Sequence, residues 1–224
     1  MANALQCPVC GASQTLRNPG ILAVACDYCD TTLYREDDVL RAGRKSIVGE
    51  PPGKVFVGAE GRVAGERVTI VGRVQLRHAR GTWEEWYGET ATGKAIWLVE
   101  DGREYTLEHE VDDARGLHAG LKLGDVVQVD GVRYQVDEVG EGQVVGLRGQ
   151  VPRDVEPDQL FVLVDLTEVD GRRQMSAEID VQTGEVSAYV GNAVPYDQVV
   201  FQGSDHDAGV LDPAAKADHI ECAS

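Results

Sequence analysis

The stretch LFVLVDLTEVDGRRQMSAEIDVQTGEVSAYV, residues 160–190, alternates apolar and polar side chains and contains two turn signals, Asp170-Gly171 and Thr183-Gly184. Alternation with a period of two is typical of strands that bury one face, and dipeptides of this kind favour hairpin turns. Two-residue turns place apolar residues of consecutive strands opposite each other: Leu166 with Met175, Val164 with Ala177, and Val181 with Val186. The stretch therefore predicts an antiparallel meander. Its outer face is expected to carry polar side chains: Glu178, Asp180, Ser187 and Tyr189.

The same hairpin signal recurs nearer the N-terminus. A turn at Asp130-Gly131 aligns the valines on either side of it, and a turn at Asp101-Gly102 places Leu98 opposite Tyr105. Two segments, 65–72 and 124–131, share the pattern G-[ED]-x-V-x-[IV]-x-G, which arises either by duplication of a β unit or by chance. We therefore predict a mainly β fold with an antiparallel barrel or sandwich-like domain, in which two related β halves remain one interpretation.

The charge of the chain restricts its partners. The formal net charge is −17, and the first 48 residues hold five basic and five acidic side chains, so the acidic excess falls on the remainder. Nucleic-acid binding depends on clustered Lys and Arg that displace counter-ions from phosphates, and an anionic membrane surface repels an acidic body. We expect no nucleic-acid partner and no direct membrane insertion. An acidic surface does concentrate cationic small molecules around any cleft.

The sequence also bears on the cellular compartment. It contains no run of 18 or more apolar residues, and its first residues, MANALQCPVC, lack the basic region and apolar core of a signal peptide. We therefore expect a cytoplasmic protein. Thiols remain reduced in that compartment, so paired cysteines are interpreted first as metal ligands.

Four of the five cysteines form two Cys-x2-Cys pairs with 15 residues between them: Cys7, Cys10, Cys26 and Cys29. This spacing is typical of a zinc ribbon, in which each pair forms a turn that presents two thiolates to one ion. Rubredoxin-like iron and a redox dithiol pair are the competing interpretations. Gly11 follows the first pair, where positive φ is often required, and Asp30 follows the second. Because four thiolates complete a tetrahedron, the zinc is expected to be structural; Cys222 is interpreted as an idle thiol.

Composition shifts divide the chain into four parts. Residues 1–35 are the predicted zinc ribbon, residues 36–54 a linker that begins as a short helix or coil, residues 55–202 the β domain, and residues 203–224 a flexible acidic tail.

Several segments of the β domain occur in a characteristic order: VTIVGRV, GTWEEWY followed by GKAIWLVEDG, LKLGDVVQVDGVRYQV, LRGQVP, and LVDL…SAEID…GEVSAYVG. Together they resemble the DUF4178 domain family of bacterial proteins, over most of residues 55–202. The resemblance implies no particular activity. Family members are often preceded by a zinc ribbon and tend to be encoded near polyamine-synthase-like enzymes and small membrane proteins, which implies a multi-component system. Asp30 departs from the glycine expected at the second knuckle.

The aromatic segment 81–89, GTWEEWYGE, is the candidate ligand or partner surface: Trp83, Glu85, Trp86 and Tyr87. In a strand, Trp83, Glu85 and Tyr87 share one face while Trp86 lies on the other. We expect one tryptophan to lie in the barrel or sandwich core and the other to meet a second layer or a partner. Glu85 is interpreted either as a general acid with a raised pKa or as a buried acid paired with Arg73 or Arg77.

No catalytic residue can be assigned. The segment LEHEVDDARGLH offers His109 and His118 among acids, and it is interpreted as a polar connection rather than a metal site. The tail likewise contains His206 and His219. The motifs of common hydrolases, metalloproteases, P-loop proteins and dinucleotide-binding proteins are absent from the sequence.

Two functions follow as hypotheses. The first is a non-enzymatic adaptor that docks protein partners through the ribbon and the aromatic surface, in a stress- or membrane-associated bacterial system. The alternative is an enzyme or binder that acts on a cationic small molecule such as a polyamine.

Overall fold

A computed structural model describes residues 4–51 and 53–202. The predicted tail, with Cys222 and the histidines at 206 and 219, lies outside the described residues. The N-terminal region contains β1 (Ala4–Gln6), β2 (Ser13–Thr15), β3 (Ala23–Ala25), β4 (Thr31–Glu36) and β5 (Val39–Lys45). The following strands are β6 (Glu60–Val63), β7 (Glu66–His78), β8 (Gly81–Thr90), β9 (Ala95–Asp101), β10 (Glu104–Glu110), β11 (Val126–Val129), β12 (Val132–Val151), β13 (Leu160–Glu168), β14 (Gln174–Asp180), β15 (Val186–Val194) and β16 (Val199–Phe201). The described residues contain no α-helix; Tyr196–Gln198 forms one turn of 3-10 helix.

The strands close into an antiparallel barrel. The hydrogen-bonded order is β7, β8, β9, β10, β15, β14, β13 and β12, and β12 pairs again with β7, which closes the circle. Barrels of about eight strands have an interior that side chains can fill or that holds one small ligand. The prediction of an antiparallel β domain with a four-cysteine module is confirmed, and the domain is a barrel.

Strand β12 joins the barrel to the N-terminal module. Its Gln150 and Val151 pair with Val24 and Ala23 of β3. Buried side chains form one cluster that contains Ile21 and Leu33 together with residues of the barrel interior: Val74, Leu76, Trp83, Tyr87, Trp97, Val144, Leu147 and Phe161. The module therefore shares a hydrophobic core with one end of the barrel, because a module of this size buries too little apolar surface by itself.

The segment between the module and the barrel differs from the predicted linker. Strand β5 occupies residues that were expected to form a helix or coil, and it pairs with β4. The chain then follows the barrel wall, where the Ser46 hydroxyl donates to the Leu147 carbonyl at 2.9 Å and the Gly49 amide donates to the Gln75 side chain at 3.2 Å. The turn between β4 and β5 consists of Asp37 and Asp38, and Asp37 has φ of 51° without the glycine that usually marks a hairpin, which explains why local composition did not indicate a strand here.

The hairpin predictions are confirmed at two turns. Around Asp130-Gly131, Val129 pairs with Val132, and the two turn residues have φ of 48° and 77°, as a tight turn of this type requires. Around Asp170-Gly171, Leu166 pairs with Met175 as predicted.

At the other two turns the predicted register is wrong by two residues. Leu98 lies opposite Leu107, because the turn uses Gly102, with φ of 61°, and Arg103 as its central pair. This places Tyr105 opposite Glu100, to which its hydroxyl donates at 2.7 Å. At Thr183-Gly184 the loop is longer, since the Asp180 carboxylate accepts from the Gln182 and Thr183 amides, and Val186 therefore pairs with Ile179.

Both surfaces of the barrel wall are covered. The apolar side of the meander, including Met175 and Ala177, lies on the outside of the wall under a covering segment that contains Leu117, Leu121 and Val129. A second outer layer, formed by β6 and β16, covers Trp86 and its neighbours. The prediction that Glu178 and Tyr189 face solvent is wrong. The apolar side of the meander is covered from outside the barrel, so the polar side faces the barrel interior.

The two segments that share a sequence pattern do not occupy equivalent places. Residues 65–72 enter the barrel strand β7, whereas residues 124–131 form β11, which pairs with β12 outside the closed order. The pattern reproduces a local feature, since Gly65 and Gly124 have φ of 86° and 87°. It therefore marks a turn before a strand, and the structure gives no support to two related halves.

Candidate functional site

The four cysteines of the N-terminal module converge on one point. Their sulfur atoms lie within 4.8 Å of one another, with 3.8 Å between the Sγ atoms of Cys7 and Cys29 and 3.6 Å between those of Cys10 and Cys26. Sulfur atoms about 2.3 Å from a tetrahedral ion are about 3.8 Å apart, so the set is compatible with a four-coordinate metal ion. Among the described residues, no other group of His, Cys, Asp and Glu side chains converges in this way.

Each cysteine pair is held by the same backbone turn. The Gly11 amide donates to the Cys7 carbonyl at 2.9 Å, and the Asp30 amide donates to the Cys26 carbonyl at 3.0 Å. Gly11 and Asp30 have φ of 76° and 57°, so the expectation of positive φ after both pairs is confirmed. Asp30 has a second contact that sequence reasoning missed, because its carboxylate accepts from Arg148 of β12 at 2.6 Å and links the second turn to the barrel.

The aromatic strand β8 divides its side chains between the two surfaces of the wall. Trp83 and Tyr87 are buried in the interior cluster, whereas Trp86 is fully buried in the outer layer. The predicted division of faces, and of the two tryptophans between two layers, is confirmed. The four predicted surface residues are all buried, so they do not form an exposed surface together, and Trp83 and Glu85 line a cavity instead.

Glu85 is a paired buried acid, and its partner is not one of the two arginines that the sequence indicated. It accepts from Arg153 at 2.6 Å and from the Trp83 indole nitrogen at 3.2 Å. Arg73 lies on the opposite side of the wall and binds Glu84. Arg153 follows β12 in the chain and is distant from Glu85 in sequence, which explains why inspection of neighbouring residues did not find it.

An acidic cavity of about 360 Å³ lies in the barrel at Glu85. Residues from several strands line it, among them Trp83, Glu85, Glu108, Asp165, Ser176 and Glu178. This volume is within the range of small-molecule sites, which combine apolar walls with a few polar groups. We refer to it below as the acidic cavity.

Three carboxyl groups of the acidic cavity have raised pKa values. Burial raises the pKa of Glu108 to about 8, and the neighbouring Glu85 and Asp165 carboxylates add to the shift. Burial likewise raises the pKa of Glu178 to about 8, although Arg153 opposes the shift, and burial together with Glu138 raises that of Asp165 to about 6. Each carboxyl group is therefore closer to neutral than an exposed one at the same pH.

Glu108 has no cationic partner among the described residues. The Ser176 hydroxyl lies 3.4 and 3.3 Å from its two carboxylate oxygens, and the side chain is buried. Sequence reasoning assigned Glu108 to a polar connection. In the structure Glu108 lies opposite Gly191 of β15, where a Cβ atom would approach within 2.7 Å of the Glu108 side chain, and no pattern in the sequence indicated this pairing.

The histidine-containing segment forms no metal site among the described residues. His109 lies in β10 near Lys94, with 3.5 Å between their nitrogen atoms, and burial lowers its pKa. The His118 ring accepts from the Gly120 amide at 3.1 Å, and Asp113 forms an ion pair with Arg115. After β10 the chain forms a connection without regular strands, as predicted, but Leu117 and Leu121 pack over the meander, so the connection is not purely polar. Within the described residues, no helix is long and apolar enough to cross a membrane.

The fold and the site define a class of protein: an eight-stranded antiparallel barrel with an acidic interior, joined to a four-cysteine module. The family model described as a domain of unknown function, DUF4178, matches residues 57–196. The chain therefore belongs to the DUF4178 family. No significant match was found among curated proteins or among solved structures.

Proposed function

We propose that the barrel binds a small organic cation, an aliphatic amine with one or more ammonium groups, in the acidic cavity. Glu108 carries this proposal. It is a buried carboxyl group that faces the cavity without a Lys or Arg partner among the described residues. A buried carboxylate without a counter-ion is strongly unfavourable, so it either takes up a proton or receives a cation from outside.

The other walls of the acidic cavity support an aliphatic amine. Trp83, Val99 and Leu163 offer apolar surface, which suits methylene groups, and Asp101 and Asp165 offer further carboxyl groups. A ligand with several ammonium groups separated by methylene groups, such as a polyamine, combines these two requirements. The net charge of −17 also favours the approach of cations from solution.

Titration calorimetry with spermidine at physiological salt tests the proposal. We expect saturable binding to the intact protein and a loss of about tenfold to a hundredfold in affinity for Glu108→Gln, because a hydrogen bond to a charged group is removed. Glu104→Gln is the matched control, since Glu104 is an exposed carboxylate on the same strand and its loss changes the net charge equally. Weak binding that both variants reduce equally would indicate only a general acidic surface and would contradict the proposal.

The pH dependence of binding gives a second readout. The ammonium group favours the ionised form of Glu108, whose pKa is about 8 without a ligand, so binding releases a proton below that pH. Affinity should therefore increase as pH rises from 6 to 8 and change little above 8 until the amine itself loses its proton. Glu108→Gln should remove the share of this dependence that Glu108 contributes, whereas Glu178, whose pKa is also raised to about 8, keeps its own share.

The metal ion of the four-cysteine module is zinc in this proposal, and its role is structural. A complete set of four thiolates leaves no open position for substrate, and the sulfur spacing supports tetrahedral coordination. Elemental analysis of protein from cells grown without added metal should give about one zinc per chain, and Cys26→Ser should lose it. Recovery of iron in place of zinc would contradict the assignment.

A second function, docking of protein partners by the module, is supported by one observation. Val9 and Tyr28, at the tips of the two cysteine turns, are 57% and 81% exposed. Co-purification from the native cytosol tests this adaptor hypothesis. A specific partner should be lost with Tyr28→Ser and retained with Glu108→Gln. Equal recovery with both variants would show that docking does not depend on Tyr28.

A further inference from the structure

Arg153 occupies a cage inside the barrel. Its guanidinium group donates to Glu85 at 2.6 Å, to Glu178 at 2.9 Å and to the Tyr189 hydroxyl at 3.1 Å. The same group lies over the rings of Trp97 and Tyr189, at 4.9 and 5.9 Å from their centroids. We define the cage by these four residues: Glu85, Trp97, Glu178 and Tyr189.

The chemistry of the cage is that of a site for a planar organic cation. Carboxylates accept the forked donors of a guanidinium, and aromatic faces attract its charge once water is excluded. All four residues lie on barrel strands, β8, β9, β14 and β15, so the wall holds the cage independently of its occupant.

Arg153, which occupies the cage, lies on a loop and not on a strand of the barrel wall. Arg153 belongs to residues 152–159, which connect β12 to β13, and the Tyr34 hydroxyl of the N-terminal module holds this loop by donating to the Val155 carbonyl at 3.0 Å. The fit is incomplete: Nε of Arg153 and Oε1 of Glu178 are buried and have no hydrogen-bond partner in the described part of the chain. A cation carried by the loop therefore leaves donor and acceptor capacity in the cage unused.

Two residues of the cage also line the acidic cavity. These are Glu85 and Glu178, and Glu178 in addition lines a second cavity of about 250 Å³ beside the module, together with Arg153 and Leu22. A ligand in the acidic cavity therefore faces both carboxylates to which Arg153 donates.

We propose that the cage is a recognition site for a guanidinium group, which Arg153 occupies as a tethered ligand and which a guanidinium compound in the acidic cavity takes over from it. The inference rests on the proposed function, since the ligand reaches the cage through the acidic cavity. It narrows the ligand class to amines that carry a guanidinium group at one end.

Two probes with the same four-carbon spacer test the proposal: agmatine, which has a guanidinium and an ammonium group, and 1,4-diaminobutane, which has two ammonium groups. If Arg153 fills the cage most of the time, a competing ligand binds only the fraction of molecules whose cage is free. Removal of Arg153 therefore strengthens binding of that ligand by the inverse of this fraction. Calorimetry should therefore show at least about a tenfold gain in agmatine affinity for Arg153→Ala and a gain below about threefold for 1,4-diaminobutane. Arg80→Ala, which removes an exposed arginine from the same cavity, should change both affinities equally.

Arg153→Lys covers the case in which Arg153→Ala does not fold. It keeps a positive charge on the loop without the planar fork, so it should fold and still raise the affinity for agmatine more than that for the diamine. If both Arg153 variants weaken or leave unchanged the binding of agmatine, Arg153 is only a structural counter-ion and the inference is overturned. If neither probe binds intact protein or any variant, the proposed function fails as well. If the diamine binds in a way that depends on Glu108, but the Arg153 variants do not bind agmatine more tightly, this inference is overturned and the proposed function stands.

Discussion

Two adjacent glutamates of β8, Glu84 and Glu85, face opposite sides of the barrel wall and are paired in different ways. On the outside, Glu84 accepts from Arg73 at 2.7 Å and from Gln75 at 2.9 Å, and the side chains of the ion pair are 3% and 2% exposed. On the inside, Glu85 shares Arg153 with Glu178, so two carboxylates face one guanidinium. The two inner carboxylates border a cavity of small-molecule size.

The two glutamates show how the surroundings of a buried charge indicate whether it serves stability or binding. The outer pair matches one carboxylate with one guanidinium. The Arg73 guanidinium also donates to the Gly49 carbonyl at 2.7 Å, its Nη2 atom is buried without a partner in the described part of the chain, and the segment after β5 covers the pair. On the inner side carboxyl groups outnumber cationic groups, and Glu108 and Asp165 add two more carboxyl groups to the same cavity. A buried excess of one charge requires a proton or a counter-ion, and that requirement makes the inner side the candidate binding side.

The largest effect is expected where the outer pair is broken. Arg73→Met leaves Glu84 buried without its cation, and loss of one partner of a buried ion pair lowers the free energy of unfolding by about 3–5 kcal/mol. Urea unfolding followed by circular dichroism measures this. Cation binding by the remaining folded protein should be unchanged, because Arg73 lies on the other side of the wall.

Arg41→Met is the control for that experiment. Arg41 and Glu36 form an ion pair in which both side chains are 57% exposed, so the change should stay within about 1 kcal/mol. A loss below about 1 kcal/mol for Arg73→Met, or a loss of cation affinity, would remove the distinction between the two sides.

The second effect concerns the inner side and has the opposite sign. The pKa of Glu108 is raised from an ordinary value of 4.5 to about 8 in the folded protein. Between these two pH values the folded state binds more protons than the unfolded state, so stability decreases as pH rises and the full penalty is present above pH 8. Glu108→Gln removes this penalty. A rise of the pKa from 4.5 to about 8 corresponds to about 4–5 kcal/mol, so at pH 9 the variant should raise the free energy of unfolding by up to that amount.

Unfolding curves from pH 5 to pH 9 measure the slope directly. Intact protein should lose stability over this range more steeply than Glu108→Gln, and the two proteins should converge near pH 4.5. Equal slopes would mean that Glu108 is solvated or paired, and the inner side would then resemble the outer one.

The sequence predicted those parts of the fold that depend on neighbours along the chain. The positive φ of Gly11 and Asp30, the tight turn at Asp130-Gly131 and the division of side chains along β8 each follow from a few adjacent residues. The register at Asp101-Gly102 does not follow from adjacent residues. It places Glu100 where it accepts hydrogen bonds from Trp86 and Tyr105, and Trp86 lies on another strand.

The site was predicted less well for the same reason. Alternation shows which residues share a face, but a wall covered on both sides does not reveal which face is the interior. The sequence therefore identified Glu85 but not its partner Arg153, and it placed Glu178 on the outside. Contacts between residues far apart in the chain decide both points, and no local pattern records them.

The smallest effect sharpens the comparison at a single hydrogen bond. Gln75 is to Glu84 what Ser176 is to Glu108: a neutral donor beside a buried acid. Ser176→Ala removes the donor that favours the ionised form, which contributes about 0.5–1.5 kcal/mol, so the pKa of Glu108 should rise further by about half a unit to one unit. The pH midpoint of amine binding should shift upward by the same amount, and affinity at pH 7 should fall about threefold to tenfold. Ser187→Ala, an interior serine on β15 that lines the cavity beside the module, should leave the midpoint in place. An unchanged midpoint with Ser176→Ala would mean that Glu108 is not the group whose ionisation accompanies binding, whereas a shift confined to this variant would tie the proton release to that one carboxyl group.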